Sequence, residues 1–150
     1  MIEIWIDGLC QPVNPGGTAC YGYVIKRNRK VVDKNCGVVG IGKDMTNNVA
    51  EYMALICALR EVKRQGLQNE LIIIKSDSTL LVNQMNRKWK AKAPLLLPLY
   101  RLANDLAALL DYRIEWVPRE ENQEADRLTR IAYESWQKQR NFRCVVPENR

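Results

Sequence analysis

The 150-residue chain contains no histidine, a single phenylalanine and no C-x-x-C cysteine pair. Without histidine it cannot form a Ser-His-Asp triad or use a histidine general base, and zinc sites of the usual spacing are not expected. Its five cysteines are Cys10, Cys20, Cys36, Cys57 and Cys144. If the chain is an enzyme, its chemistry must therefore come from carboxylates, lysines or metal ions.

The chain also lacks any run of about eighteen apolar residues, so we expect no membrane span. No basic and apolar leader precedes the first strand pattern, which favours a cytoplasmic protein. Lys and Arg number 23 against 17 Asp and Glu, a net charge of +6 that favours polyanionic partners. The length and the 47% hydrophobic content suit one domain over residues 1–150, and residues 137–150 are expected to form a tail whose apolar end docks or adds a strand.

Apolar periodicity predicts the order β-β-β-α-β-α-α-β-α, an α/β fold with a mixed sheet and helices on both faces. Strands are predicted at residues 2–8, 19–25, 31–39, 71–77 and 113–118. Helices are predicted at residues 48–65, 78–86 and 97–110 and again from Asn122, which we expect to cap the last one. Asn47 or Asn48 is expected to cap the first helix, and Asp77 or Ser78 the second. The first three strands should form an antiparallel meander.

Four carboxylates fall at corresponding places in this pattern. Asp7 and Asp77 lie at the ends of predicted strands, and Glu51 and Asp126 are expected in the first turns of helices. Taken singly, each has an ordinary explanation as a turn residue, a compensator of the helix dipole or, for Asp126, a partner of Arg130. Ligands collect at the carboxyl ends of parallel strands, however, and carboxylates that share one cleft repel unless cations bridge them.

Oxygen-only ligands select hard ions such as Mg²⁺ or Mn²⁺. A paired-metal site of this type supports in-line phosphoryl displacement. Together with the basic charge, it indicates a metal-dependent nuclease, although the residues do not identify the nucleic acid.

Two basic segments have alternative interpretations. Residues 26–30, between the second and third strands, contain four cations and fit either a solvated turn or a phosphate contact. Residues 87–92 contain four cations around Trp89 and fit either a solubilising loop or a contact with a nucleic-acid backbone, in which Trp89 and Lys90 would take part.

Four ordered motifs carry a resemblance to type 1 ribonuclease H, nearest to its short archaeal-like members, from the first strand to about Tyr133. They are Asp7-Gly8-Leu9-Cys10 with Asn14-Pro15-Gly16-Gly17, then Thr46-Asn47-Asn48-Val49-Ala50-Glu51, then Ser76-Asp77-Ser78, and Glu121-Asn122-Gln123-Glu124-Ala125-Asp126. The resemblance implies the ribonuclease H-like fold, a five-stranded mixed sheet with three antiparallel and then two parallel strands.

The resemblance also implies cleavage of the RNA strand of RNA/DNA hybrids, leaving 5′-phosphate and 3′-hydroxyl ends. Asp7 would bridge two Mg²⁺ ions, replaceable by Mn²⁺, with Glu51 and Asp77 completing one site and Asp126 the other. Glu51 would also touch a ribose 2′-OH, the group that distinguishes RNA. Substrate contacts are expected from Gly8, Cys10, Asn14, Thr46, Asn47, Asn48, Ser78 and Asn122. Double-stranded RNA, which keeps the 2′-OH groups, is a further candidate substrate, and we expect a monomer.

The chain departs from the family at two places. Many members carry a histidine in a mobile loop before the last carboxylate, whereas here the connection is Pro118-Arg119-Glu120-Glu121. We hypothesise that Arg119 takes a related electrostatic role near the leaving phosphate. The segment around Trp89 is also shorter than the helical handle of bacterial relatives, which weakens the expectation that it binds the DNA strand.

Two other functions fit parts of the sequence. A hybrid-binding module of the same fold would be expected to lack some of the four carboxylates, and a resolvase-like or integrase-like nuclease would share them. Thr46-Asn47-Asn48 ahead of Glu51 favours hybrid cleavage over the second alternative. A disulfide between Cys57 and Cys144 is a further hypothesis, although disulfides are uncommon inside cells.

Overall fold

The computed structural model describes the backbone of residues 1–145 and the side chains of residues 1–140. The strands are β1 (Ile2–Gln11), β2 (Thr18–Arg27), β3 (Lys30–Ile41), β4 (Ile72–Ser76) and β5 (Tyr112–Trp116). The helices are α1 (Asn47–Arg64), α2 (Thr79–Met85), α3 (Leu97–Ala107) and α4 (Gln123–Val145), with a 3₁₀ turn at Arg119–Glu121. None of the helices in this part of the chain is long and apolar enough to cross a membrane.

The five strands form one sheet in the order β3-β2-β1-β4-β5. β1 pairs antiparallel with β2, and β2 with β3, while β4 runs parallel to both β1 and β5. The predicted mixed sheet, three antiparallel strands followed by two parallel ones, is therefore confirmed. β4 is flanked on both sides and carries the continuous apolar run Ile72-Ile73-Ile74 that such a position requires.

Helices cover both faces of the sheet, as predicted. α1 packs on β1 and β2 with α2 and α3 beside it, and α4 packs on β1, β2 and β3. Ile2, Ile4 and Ile6 project from β1 into the core that contains the buried residues of α1. On α4, Ala125, Thr129 and Ala132 recur at helical spacing and are buried.

The first strand is longer than predicted. The sequence predicts a strand to Gly8 and a Gly- and Pro-rich loop after it, yet β1 continues to Gln11 because β2 lies antiparallel to it and supplies a register partner for each residue from Ile2 to Gln11. Pairing with β4 stops earlier, at Ile6 opposite Ser76. Asp7 therefore lies inside β1 rather than at its end, at the point where the parallel pairing with β4 ends.

The start of α1 also differs from the prediction. Thr46 is the N-cap, and its hydroxyl accepts a hydrogen bond from the backbone N–H of Val49 at 3.1 Å, so neither Asn47 nor Asn48 is the cap. The helix then begins at Asn47, which moves Glu51 out of the first turn and into the second. At α2 one of the two predicted caps is found, because Ser78 accepts from the N–H of Leu81.

The last helix continues through much of the predicted tail. α4 extends to Val145, so residues 137–145 are helical and the strand alternative for Cys144 and Val145 is wrong. These residues include no glycine or proline, and the next proline is Pro147, so nothing in the local sequence stops the helix before Val145. The proposed Cys57–Cys144 disulfide involves a side chain outside the described residues.

Candidate active site

Asp7 and Asp77 are brought together by strand register. Ile6 and Ser76 are the last paired residues of the parallel strands β1 and β4, and the two aspartates follow them directly. Both carboxylates therefore lie at the same edge of the sheet, where the sequence places them.

Glu51 reaches this edge because of a glycine in β1. A Cβ atom at Gly8 would lie 2.6 Å from the backbone carbon of Ala50 and would also overlap the backbone N of Glu51. The missing side chain lets α1 lie directly against β1 beside Asp7. Packing alone thus accounts for glycine at this position, and the predicted substrate contact of Gly8 stays a prediction.

Asp126 reaches the site from the other face of the sheet, also because a glycine lets a helix lie close to a strand. Gly22 is the register partner of Asp7 on β2, and a Cβ there would lie 2.7 Å from the carbonyl oxygen of Ala125 and 3.1 Å from the backbone N of Thr129. The start of α4 therefore rests on β2 opposite Asp7. Sequence reasoning missed Gly22, although a lone glycine between Tyr21 and Tyr23 in an apolar strand indicates a close backbone approach.

Three of the four carboxylates form a tight cluster. One oxygen from each of Asp7, Glu51 and Asp77 lies within 4.8 Å of the others, with Asp7 7% and Glu51 5% exposed. Asp126 lines the same cleft, which has a volume of about 320 Å³ and also contains Asn47, Trp116 and Arg119. The expected convergence of the four carboxylates is thus found, while their catalytic and metal-binding roles stay predictions.

The surroundings of the cluster disfavour its full ionisation. Burial and the neighbouring Asp77 raise the pKa of Asp7 from 3.8 to about 7. Burial, followed by the charges of Asp7 and Asp77, raises the pKa of Glu51 well above its ordinary value. Burial also raises the pKa of Asp77, against the opposing effects of Asn122 and Arg119. The cluster therefore needs protons or cations to lie together at neutral pH.

A divalent cation fits this donor set. The buried Oε2 atom of Glu51 has no hydrogen-bond partner among the described residues, so it is available as a ligand. Clustered carboxylate oxygens are the donors that hard ions such as Mg²⁺ and Mn²⁺ prefer.

Two arginines lie beside the carboxylates. Arg119, on the 3₁₀ turn after Pro118, lines the cleft, and its charge opposes the rise in the pKa of Asp77. Its electrostatic role near the leaving phosphate stays a prediction. Arg130 Nε donates to Asp126 Oδ2 at 3.1 Å, the i,i+4 pair expected from the sequence. Arg130 also lines the cleft, a position that the sequence analysis did not assign to it.

The predicted groove residues Asn14 and Asn47 form a reciprocal pair. The side-chain amide of Asn14 donates to Asn47 Oδ1 at 2.8 Å, and its own oxygen accepts from the backbone N–H of Asn47 at 3.2 Å. The pair joins the β1–β2 loop to the start of α1 at the rim of the cleft. Thr46 and Asn48 flank Asn47, and the hydroxyl of Thr46 is occupied as the cap of α1.

Three other predicted contact residues are tied into the fold. The Cys10 thiol donates to the carbonyl of Val13 at 3.2 Å, and Ser78 caps α2. Asn122 lies at the predicted cap position, directly before α4, and its carbonyl accepts a hydrogen bond from the N–H of Asp126 at 3.1 Å. Its side-chain amide donates to the carbonyl of Ile6 at 2.7 Å and its Oδ1 has no partner among the described residues, so the side chain anchors β1 and does not cap the helix. Asn122 is 1% exposed, which leaves little surface for a substrate.

The basic segment after α2 lies apart from the cleft. Trp89 is 48% exposed, and neither it nor Lys90 lines the site. Trp116, which the sequence analysis did not select, does line it, with its indole N–H donating to the carbonyl of Asp77 at 3.2 Å. Trp116 is the last residue of β5, and an aromatic residue near the carboxyl end of a predicted strand that stops at Pro118 was the available signal.

Comparison with known proteins gives concordant matches. A sequence model described as reverse transcriptase-like matches residues 7–132. The bifunctional protein Rv2228c of Mycobacterium tuberculosis is 43% identical over 91 residues, which cover 60% of this chain and 24% of that protein. The chain thus spans about a quarter of the length of the mycobacterial relatives that it matches.

Solved structures extend the similarity over nearly the whole chain. The N-terminal RNase H domain of Rv2228c is 35% identical with a TM-score of 0.82, and the match covers 92% of this chain and 96% of that one. LC11-RNase H1, solved in complex with an RNA/DNA hybrid, is 29% identical with a TM-score of 0.83, and 91% and 99% of the two chains are covered. The chain therefore belongs to the reverse transcriptase-like family as a ribonuclease H-like domain, similar to type 1 ribonucleases H.

Proposed function

We propose that the chain is an endonuclease that hydrolyses the RNA strand of RNA/DNA hybrids and leaves 5′-phosphate and 3′-hydroxyl ends. The observation that carries the proposal is the convergence of carboxylates from four elements, β1, α1, the end of β4 and α4, in one cleft that also contains Arg119. The hybrid bound by the similar LC11-RNase H1 supports this choice of substrate.

Two Mg²⁺ ions, or Mn²⁺ in their place, would be held by the four carboxylates, with Asp7 shared between the sites, Glu51 and Asp77 at one and Asp126 at the other. When bound, such ions activate a water and stabilise the attacking and leaving oxygens of an in-line displacement. The chain would hold these ions in a rigid and poorly solvated site, because Asp7 and Glu51 are buried and the backbone of Glu51 packs against Gly8, the residue after Asp7.

Substrate contacts follow from the rim of the cleft. Asn14 and Asn47, held by their reciprocal hydrogen bonds, would read the minor groove with Asn48 and Cys10, and Glu51 would meet the 2′-OH that marks an RNA strand. Arg119 would stabilise charge near the leaving phosphate. Residues 1–150 would act as one catalytic domain and as a monomer, and double-stranded RNA would be a second substrate. A cytoplasmic location stays a prediction.

The decisive experiment is cleavage of end-labelled RNA/DNA hybrid beside single-stranded RNA, double-stranded DNA and double-stranded RNA. Wild type and Asp7→Asn are compared in Mg²⁺, in Mn²⁺ and in EDTA. We expect metal-dependent cutting of the hybrid's RNA strand, lost in the variant. A hybrid that is bound but stays intact with both metals would instead establish a binding module, and cleavage of branched DNA in preference to hybrid would establish a resolvase-like nuclease.

A further inference from the structure

A second cavity, shallow and open to solvent, adjoins the catalytic cleft at the start of α4. It has a volume of about 450 Å³ and is lined by Arg119, Glu120, Gln123, Asp126, Arg127 and Arg130. Arg119, Asp126 and Arg130 line the cleft as well, so these side chains form a common wall between the two spaces. Glu120, Gln123 and Arg127 line the second cavity but not the cleft.

The charge of this cavity is opposite to that of the cleft. Three guanidinium groups face two carboxylates in the cavity, whereas four carboxylates face two arginines in the cleft. Within residues 1–140, neither Arg119 nor Arg127 forms an ion pair, so their donors are free for a ligand. Gln123 opens the 23-residue helix α4, whose first turn adds a partial positive charge on the same side.

We propose that this arginine cavity binds the RNA-strand phosphate next to the phosphate that is cut. The proposal rests on the proposed function, which places the cut phosphate at the carboxylates. Asp126 lines both the cavity and the cleft, so a ligand in the arginine cavity lies next to the cleft. The anion nearest to the cut phosphate is the next phosphate of the same strand, because a single nucleoside joins the two. Guanidinium groups suit phosphate oxygens because they donate in pairs and remain charged.

The arginine cavity would also offset the repulsion between the carboxylates of the cleft and the phosphates of a bound strand. A polyanionic strand that enters a cleft of four carboxylates is repelled on both sides of the cut, and bound cations offset this only at the reacting phosphate. Arg127 would bind the next phosphate and so act as a positioning residue, which fixes where the strand lies without touching the reacting atoms. Its effect should appear in KM and in salt dependence rather than in kcat.

The test compares Arg127→Ala with Arg101→Ala, a control that removes the same charge from an exposed position on α3, on the opposite face of the sheet. We expect Arg127→Ala to raise KM for hybrid about three- to tenfold with kcat retained, and to reduce the slope of log affinity against log salt by about 1. Arg127→Lys should restore most of the slope. Thermal unfolding of each variant checks that the fold is intact.

Phosphate neutralisation identifies the contact. Hybrids carry a single uncharged methylphosphonate at successive steps on either side of the cut, and both cleavage and equilibrium binding are measured. In wild type, neutralising one adjacent RNA-strand phosphate should weaken binding, and in Arg127→Ala the same change should have no further effect.

If Arg127→Ala matches Arg101→Ala in KM, salt slope and the methylphosphonate scan, the proposal is overturned. A wild type that binds hybrid without cutting it would instead refute the proposed function, and the binding scan would still decide whether the cavity holds a phosphate.

Discussion

The two helices that reach the site approach from opposite faces of the sheet and place their carboxylates in different surroundings. Glu51, on the α1 side, is 5% exposed and its Oε2 has no partner among the described residues. Asp126, on the α4 side, keeps a quarter of its side-chain surface in solvent and bonds to Arg130. The α1 side thus leaves its negative charge to be balanced by cations, whereas the α4 side supplies its own counter-charge. The electrostatic free-energy cost of bringing the carboxylates together is therefore concentrated on the α1 side.

The largest effect should come from blocking the approach of α1. Gly8→Ala places a Cβ into the backbone of Ala50 and Glu51, and we expect a loss of about 3 kcal/mol in the free energy of unfolding, together with loss of cleavage. Gly40→Ala is the control, since the nearest atom to its new Cβ is the flexible Met45 sulfur at 3.0 Å. Urea unfolding measures both. Equal stability of the two variants would show that α1 does not need the gap at Gly8.

The second effect is a pH dependence of stability without divalent cations. Because the pKa of Asp7 rises from 3.8 to about 7 on folding, the folded chain binds this proton more tightly than the unfolded chain between those values. The free energy of unfolding should therefore fall as pH rises through that window.

Asp7→Asn should remove much of this slope and should be more stable than wild type at pH 8 by on the order of 1–3 kcal/mol. Urea unfolding in EDTA at several pH values measures the slope, with the exposed Asp105→Asn as control. An Asp7→Asn variant less stable than wild type at pH 8 would contradict the assignment. Mg²⁺ should raise the melting temperature of wild type and not of this variant.

A smaller effect is expected at Arg119, which belongs to the α4 side of the cleft. Arg119→Ala removes the guanidinium that favours the charged form of Asp77, and we expect kcat to fall about tenfold with the fold intact. Single-turnover cleavage of hybrid gives the rate, with Arg101→Ala as the charge-matched control. Unchanged turnover would refute the role of Arg119.

The smallest expected effect, at Asp126, is a change in the free energy of unfolding with the opposite sign to that at Asp7. Asp126→Asn loses an exposed i,i+4 ion pair, so we expect it to lower the free energy of unfolding by about 0.3–0.5 kcal/mol, whereas Asp7→Asn raises it at neutral pH. Thermal unfolding in EDTA compares the two variants. A stabilised Asp126→Asn would show that the two sides carry the same electrostatic cost.

The sequence predicts much of this arrangement because strand ends and helix starts carry strong local signals. The continuous run of β4 and its alternation with helices indicate the parallel part of the sheet, which is enough to bring Asp7 and Asp77 to one edge. The positions of Glu51 and Asp126 near this edge can be predicted once the helices that carry them are assigned.

What the sequence does not predict depends on partners distant along the chain. The continuation of β1 to Gln11 requires β2 to lie beside it, and the role of Gly22 depends on its register opposite Asp7. The choice of Thr46 over two adjacent asparagines as cap is decided by the backbone conformation at the helix start, and the length of α4 by the absence of any stop signal before Pro147.

The position of β1 in the sheet has a consequence for motion. β1 is the middle strand and is paired on both sides up to Ile6, so the amides that lead to Asp7 should exchange with solvent only when the whole domain unfolds. Arg119 and Arg127 are exposed, the first on a three-residue turn and the second on the outer side of α4. Asp7 is thus held on a slowly opening part of the chain, while these two arginine side chains can change conformation within nanoseconds, so a strand bound as proposed would associate and dissociate without disturbing that carboxylate.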